Sequence, residues 1–334
     1  MNSNIAFTYS VVIRTLGTGG QKYKKLLDSI KRQSCQPVHL YVIIAEGYEL
    51  PHERVGIEEF IYTKKGMWHQ RVYGLEYAAN QRDADFILAV DDDISFADDF
   101  VENSIMWMKF NNCDVLTPDI IDSLSENNGC VPILSLRNIY LTLLGVRIEN
   151  PFQKERVKII GTSGYMANSR LMADAVPTQS AQFAALFIRT DKISVLDLKS
   201  EYWLEGTKYA LPDDQVFYYK CHVLGLKVFM HEKYMIYHHD HGSSSPNRFN
   251  DSSFANGRNF LIFWHRFLYK RASFLKKIWL IFCIFYRILM HIFYHIVRGI
   301  VALNFSSLKS YYNGVRNGLA VIKSLDYKAL PRIK

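Results

Sequence analysis

Phe86-Ile87-Leu88-Ala89-Val90-Asp91-Asp92-Asp93 is the stretch on which the fold turns. Five apolar residues run without a polar break into three carboxylates. A short apolar run of this kind reads as a strand buried on both faces, the habit of parallel sheets covered by helices. Like charges packed at the end of such a strand repel one another, and a divalent cation with oxygen ligands relieves them. The bland alternative is a solvated turn, where Asp is common. The position directly after a buried strand favours a ligand site, because ligands of such sheets sit beyond the carboxyl ends of the strands.

The flanking segments repeat the alternation. Tyr9–Ile13 and Val38–Ala45 are strand-like, and Phe60–Tyr62 is a short third strand. Between them Tyr23–Gln33 has helical spacing, with Leu26, Leu27 and Ile30 on one face, and Trp68–Ala79 reads as a second helix. Strands alternating with helices of about a dozen residues give a mostly parallel, Rossmann-like central sheet flanked by helices. Gly17, Gly19 and Gly20 follow the first strand. A dinucleotide fingerprint would need glycine at position 22, where Lys22 stands, so the loop is left to hold a ribose or base through its backbone and Arg14 or Thr15.

Beyond Asp98 the pattern loosens. A helix over Asp99–Phe110 leads to short strands and the polar loop Ser123–Gly129, and Pro212-Asp213-Asp214 has the make-up of a helix N-terminus. Strand-like runs at Leu226–Met230 and Tyr234–Tyr237 end at His238-His239-Asp240-His241, which gathers three of the eleven histidines. One of the three is expected to complete an Asp/His shell suited to Mn²⁺ or a similar ion, while the others belong to a polar loop.

Composition excludes several classes. Hydrophobic residues at 49% and charged residues at 22% fit a folded protein, not a disordered or collagenous chain. Five scattered cysteines with no CxxC pair are expected to be buried thiols of a reducing compartment, and the polar N-terminus does not read as a secretory leader. The net charge of +8 is unevenly spread. Residues 257–334 hold 14 Lys and Arg against one acid, Asp326, a net of +13, so residues 1–256 carry −5.

That basic tail is also apolar. Ile278–Tyr286 is an unbroken apolar run, and the pattern continues to Leu303, interrupted by Arg287, His291, His295 and Arg298 on one helical face. The interruptions argue against a spanning helix and for one lying in a membrane interface, with Lys276, Lys277, Arg287 and Arg298 reaching anionic headgroups. An ordinary buried helix is the alternative. Nucleic acid is not the expected partner, because the aromatics form an apolar face and are not interleaved with the basic residues.

Several segments, in order, resemble the family 2 glycosyltransferases: Ser10-Val11-Val12-Ile13-Arg14-Thr15, Tyr41–Gly47, Gly66…Gln70-Arg71…Gly74, the run into Asp91-Asp92-Asp93, Gly161-Thr162-Ser163-Gly164, and Pro212-Asp213-Asp214 through to His238. The resemblance covers about residues 9–245. It implies a GT-A fold over 1–256, with a nucleotide-sugar half of about 1–120 and an acceptor half of about 121–256; the helical, membrane-associating extension at 257–334 is read from the tail's own pattern. The resemblance also implies a metal-dependent, inverting hexosyltransferase acting on a saccharide. The apolar, basic tail adds the expectation of a lipid-linked saccharide acceptor at the cytoplasmic face of a membrane, in cell-surface polysaccharide or glycolipid assembly.

Carried over residue by residue, Thr15 and Glu46 fall at the nucleoside, Arg71 near the diphosphate, and Asp91 and Asp92 at the donor; Arg14 is placed at the nucleoside by the loop reading above. Asp91 and Asp93 bracket the DxD motif, whose last acid holds Mn²⁺ or Mg²⁺, with His238 beside it. Asp214 takes the place of the catalytic base, with Asp213 next to it. Gly164 is expected at the acceptor, and Tyr165 and Trp203 are read there on chemistry alone, as aromatics that can stack on sugar rings, the alternative being core packing. Arg14, Leu16-Gly17, Glu46 and Asp213 depart from the family's usual residues. Competing readings are a metal-dependent phosphohydrolase or nucleotidyltransferase using the same acids, and a non-catalytic membrane-surface binding module.

Overall fold

A computed structural model of the chain describes residues 7–122, 136–168, 173–239 and 247–333. The loop 123–129 and His241 lie outside the described residues. The chain begins with β1 (Tyr9–Thr15), α1 (Gln21–Lys31), β2 (His39–Ala45), β3 (Glu58–Thr63), α2 (Met67–Gln81) and β4 (Phe86–Asp91). It continues through β5 (Ile94–Phe96), α3 (Phe100–Phe110), β6 (Val115–Asp122), α4 (Leu136–Leu143), β7 (Arg147–Glu149), β8 (Val157–Ile159), β9 (Tyr165–Ala167), β10 (Ala175–Pro177), β11 (Ala185–Arg189), α5 (Ile193–Leu196), α6 (Asp213–Val223) and β12 (Val228–His238).

Strands β10-β12-β6-β11-β4-β1-β2-β3 form the main sheet in that order, with β5 added against β12. β3, β2, β1 and β4 run parallel, and so do β6 and β12. β11 is inserted antiparallel between β4 and β6, and β10 is antiparallel to β12, so the other six strands of that order share one direction. The two strand-like runs expected near 226–237 are one strand, β12, kinked by a register shift between His231 and Met235.

Alternating residues of each central strand serve opposite layers. Val11, Ile13, Val42, Ile44, Leu88 and Val90 pack with Tyr23, Leu26 and Ile30 of α1 and Phe100 and Ile105 of α3. Val12, Ile43, Ile87 and Ala89 face Trp68, Val72 and Leu75 of α2 and Phe217 of α6. With both faces covered, no position needs to be polar, which is why these strands read as unbroken apolar runs. Each fully buried side chain is worth roughly 1.5–3 kcal/mol. Helix α2 lies unusually close to the sheet at Gly74, where a Cβ would stand 2.6 Å from Val12. Cys113, Cys221 and Cys283 are free and buried.

The C-terminal part is helical: α7 (Arg248–Phe263), a π-helical segment Trp264–Tyr269, α8 (Phe274–Ala302), α9 (Ser306–Lys323) and α10 (Leu325–Ala329). The boundary expected after residue 256 falls inside α7, and Phe263 and Phe267 belong to the same apolar cluster as Trp68 and Phe217. A buried ion triad fastens this part to the body. Glu201, fully buried, receives Lys220 at 2.7 Å and Arg266 at 2.6 Å and 2.8 Å.

Helix α8 overturns one expectation. By length and composition it could cross a membrane, but its interrupting residues do not form an outward cationic stripe. Arg287, His291 and His295 are buried: Arg287 donates to the Thr162 carbonyl at 2.9 Å and stacks on Phe260, while both histidine rings pack on Tyr311. Arg298, by contrast, stays exposed over the Phe249 ring. Arg287 therefore cannot extend to headgroups as expected from the sequence.

Candidate active site

The carboxyl ends of β1, β2 and β4 meet the N-termini of α2 and α6 at one cluster of charges. β1 delivers Arg14 and Thr15, β4 delivers Asp91, and the turn after it carries Asp92 and Asp93. Arg14 Nη2 reaches Asp91 Oδ1 at 2.9 Å. Thr15 donates its hydroxyl to Asp92 and accepts from the Gly17 amide at 2.9 Å. Gln70, buried on α2, donates to the carbonyls of Thr15 and Ile43 at 3.1 Å and 3.2 Å, tying the ends of β1 and β2 together.

Arg71, expected near the diphosphate, is the hub of the site and is paired here with the protein's own carboxylates. It is 5% exposed and lies over the Phe183 ring at 3.7 Å. One guanidinium nitrogen, Nη1, pairs with Asp213 and stands 3.6 Å from Asp214, while Nη2 reaches Asp91 at 3.3 Å and the Phe183 carbonyl at 3.0 Å. Its donors are spent on the protein's own carboxylates. A planar fork can hold groups on two elements at fixed spacing, which a lysine cannot. Arg71→Lys is therefore expected to misplace Asp213 and Asp214 and to lower turnover on the order of 10²-fold. Steady-state rates beside a nucleotide titration check this, and unchanged turnover would show the fork to be dispensable.

The two acids at the start of α6 differ in surroundings. Asp213 is buried and neutralised by Arg71. Asp214, with a side chain 39% exposed, looks into a cavity of about 380 Å³ that is also lined by Tyr165, Arg147, Arg156 and Phe260. Burial, then the Asp213 charge, pushes the Asp214 carboxyl up to about 7, with Arg71 opposing. A carboxyl poised there can accept a proton near neutrality.

On the other side of the Arg14–Asp91–Arg71 bridge lies a cleft of about 550 Å³ lined by Arg14, Thr15, Lys65, Asp92, Glu205 and Tyr209 among others. Burial pushes Asp92 up to about 6, with the Thr15 hydrogen bond opposing and Asp91 and Asp93 adding to the rise. Asp93 goes the other way. Burial opposes its ionisation, but His238 beside it more than offsets that and holds the carboxyl below its usual range.

Asp93 and His238 also bear on a metal. His238 Nε2 stands 3.4 Å from Asp93 Oδ2, and Asp93 Oδ1 is buried without a hydrogen-bond partner. An orphaned carboxylate oxygen beside an imidazole fits a divalent ion of borderline hardness. Among the described residues no third such side chain converges on them. Asp91 is taken up by two arginines, and His239 contacts Ser95 at 2.8 Å through its ring.

Other expected residues lie elsewhere. Glu46 is exposed in the turn after β2, outside the 550 Å³ cleft. Gly164 packs its Cα against the carbonyls of Gly145 and Val146, leaving no room there for a ligand. Trp203 is outside both cavities and donates its indole N–H to Glu201 at 2.7 Å.

Glu205 was not anticipated. Its Oε1 accepts from the Trp68 and His69 amides at 2.6 Å and 2.7 Å, capping α2. The only trace in the sequence is that α2 begins after Gly66, which has no side chain to satisfy those amides. A wider groove of about 1020 Å³ sits at the opposite end of the strands, around Asp85, Phe86 and Arg189, far from this chemistry.

No protein-family model matches the sequence, and neither does any curated protein. Solved structures do. GalNAc-T7 in complex with UDP, GalNAc and Mn²⁺ superposes with a TM-score of 0.51 at 10% identity, over 78% of this chain and 50% of that one. S. aureus TarS 1–349 gives a TM-score of 0.50 at 15% identity, over 93% of this chain and 80% of that one. This chain thus spans half the length of the GalNAc-T7 chain. The shared architecture is the GT-A glycosyltransferase fold.

Proposed function

We propose that this GT-A-fold chain transfers a hexosyl group from a nucleotide-sugar to a hydroxyl of a saccharide acceptor, with inversion. The observation that carries the reading is the placement of Asp214. It is the half-exposed carboxylate of an Arg71-centred cluster that separates two cavities at the carboxyl end of the sheet. The donor would occupy the Arg14–Thr15–Lys65 cleft and the acceptor the Tyr165 cavity. Asp214 would take the acceptor's proton as its oxygen attacks the anomeric carbon, and the electrons of the breaking bond leave with the diphosphate. One base acting opposite the leaving group inverts the configuration.

Asp93 and His238 would hold a Mn²⁺ or Mg²⁺ ion, which when bound neutralises charge on the departing diphosphate. The bound UDP and Mn²⁺ of GalNAc-T7 support a uridine donor and this metal class. The apolar outer side of α8, with the net +13 of the tail, supports a place at an anionic membrane surface on its cytoplasmic face. A lipid-linked saccharide in cell-surface polysaccharide or glycolipid assembly is the acceptor that suits such a place.

The test is a panel of nucleotide-sugars with Mn²⁺ or Mg²⁺, scored for sugar release. One donor should be hydrolysed slowly, and Asp93→Ala should lose metal-dependent nucleotide binding while keeping its circular dichroism. Phosphate release without loss of sugar from the nucleotide would favour a phosphohydrolase. Absence of any metal-dependent nucleotide binding would leave only a membrane-surface module.

A further inference from the structure

Helix α8 is built inside out for a protein in water. Its polar residues Arg287, His291 and His295 turn inwards, and its outer side shows Leu275, Trp279, Phe282, Phe285, Leu289 and Phe293, with Phe282 65% exposed. Contiguous apolar surface of this kind marks a partner. No Lys, Arg, Asp or Glu interrupts the outer side between Lys277 and Arg298. The apolar arc is broader than a two-position coiled-coil seam and lacks the flanking charges that would set a helix pairing. Cations stand only near its ends, at Lys276, Lys277 and Arg298, where anionic headgroups would meet them. The inward stripe is hydrogen-bonded to Thr162 and Ser307 and stacked on Tyr311, so α8 cannot leave the body to cross a bilayer without stripping those contacts.

A second helix shares this surface. α4 leans on α8: the Tyr286 hydroxyl donates to the Leu143 carbonyl at 2.7 Å, and the Tyr140 ring meets Tyr294 edge-on at 5.5 Å. Ile139, Tyr140 and Leu143, one face of α4 at helical spacing, are exposed beside it. Four residues beyond Leu143 stands Arg147, which lines the acceptor cavity and whose Nε has no hydrogen-bond partner.

We propose that α4 and α8 form one monotopic membrane face, immersed side by side in a single leaflet that contains anionic lipid. The inference rests on the membrane reading above and adds its geometry. The mouth of the acceptor cavity, at Arg147 and Tyr165, lies at headgroup depth. An acceptor held in that leaflet by its hydrocarbon reaches Asp214 sideways across α4, and does not arrive from water.

Flotation of the full chain with phosphatidylcholine vesicles, with and without about a third of phosphatidylglycerol, provides the test. The unaltered protein should float, more so with phosphatidylglycerol and less at high salt. Leu289→Glu on α8, and Ile139→Glu and Leu143→Glu on α4, should each weaken vesicle binding tenfold or more, whereas Phe110→Glu, on the exposed side of α3, should not. All four residues are exposed, so circular dichroism should be unchanged. If Leu289→Glu releases the protein but neither α4 variant does, the shared face is wrong and the membrane reading stands. If Phe110→Glu is as harmful as the others, the face is not specific and the proposal falls. If the unaltered protein does not float, both fail, and a dimer in sedimentation that Leu289→Glu dissociates would identify a second copy as the true occupant.

Discussion

Asp214→Asn is expected to lower glycosyl transfer by about 10²–10⁴-fold while leaving donor affinity within a factor of two or so, because a positioned base contributes that much and the donor cleft is untouched. The amide keeps the size and one acceptor oxygen, so the loss reports the missing proton acceptor and not a collapsed wall. The dependence on pH has a definite sign. Burial and Asp213 push the Asp214 carboxyl up to about 7, so the base is protonated in mild acid and turnover should rise as pH passes through about 7. In Asp214→Asn the residual rate should lose that limb. The same group has a smaller effect on stability. Its folded form binds the proton more tightly than the unfolded chain does, so its contribution is present below the ordinary carboxylate range and is lost as pH rises through about 7. Rates from pH 5 to 9 with both proteins, beside a nucleotide titration, check the prediction. Asp213→Asn is expected to behave differently, because Asp213 is buried against Arg71 and its loss should lower the melting temperature as well as the rate. An Asp214→Asn enzyme at full speed would reassign the base.

The strands that place this base were legible because both of their faces are covered. Val11 to Ile13, Val42 to Ile44 and Phe86 to Val90 serve two cores at once, so their sequence has no alternation to misread. The end of β4 was legible for the same reason, since the first polar residue after such a run marks where the sheet stops. The pairings across the site were not. Arg71 and Asp213 lie 142 positions apart, and the guanidinium meets that carboxylate only once α2 is seated on the sheet, as it is closely at Gly74. Glu205 is likewise brought to α2 from a distant segment. In α8, periodicity revealed that Arg287, His291 and His295 share a face, but a helical pattern carries no sign that says which face is outside. Amphipathicity alone suggests polar outwards. Here Thr162, Phe260 and Tyr311 supply the inward polar and aromatic partners, and those lie on other elements.

Glu201→Gln is expected to be among the most destabilising conservative changes in the chain. Glu201 is fully buried and shared by Lys220 and Arg266, themselves 3% exposed, and it also accepts from the Trp203 indole. Burial works against its ionisation, but Lys220 and Arg266 more than offset this and hold the carboxyl below its usual range. Burial in turn holds Lys220 below its own usual range, the Glu201 charge opposing. The ionised carboxylate is the firmer of the two, because Arg266 keeps its charge even where Lys220 gives up a proton. Removing the one anion strands buried cations, at a cost of about 3–5 kcal/mol. For a chain of this size that lowers the melting temperature on the order of 10 °C. Because Arg266 also donates to the Pro331 carbonyl, the segment following α10 should loosen first, which limited proteolysis would detect. The acid side carries a matching sign: a lowered carboxyl contributes stability above the ordinary carboxylate range and loses it as pH falls through the folded value, so the Glu201→Gln protein should lose less on acidification than the unaltered one. A triple variant separates charge from packing. Glu201→Leu with Lys220→Met and Arg266→Met removes all three charges together, and apolar replacement of a buried ion cluster is often neutral or stabilising. The triple variant should therefore melt well above Glu201→Gln. Were it to melt lower still, the cluster would matter through its hydrogen bonds to Ser200, Trp203 and Pro331 and not through charge balance.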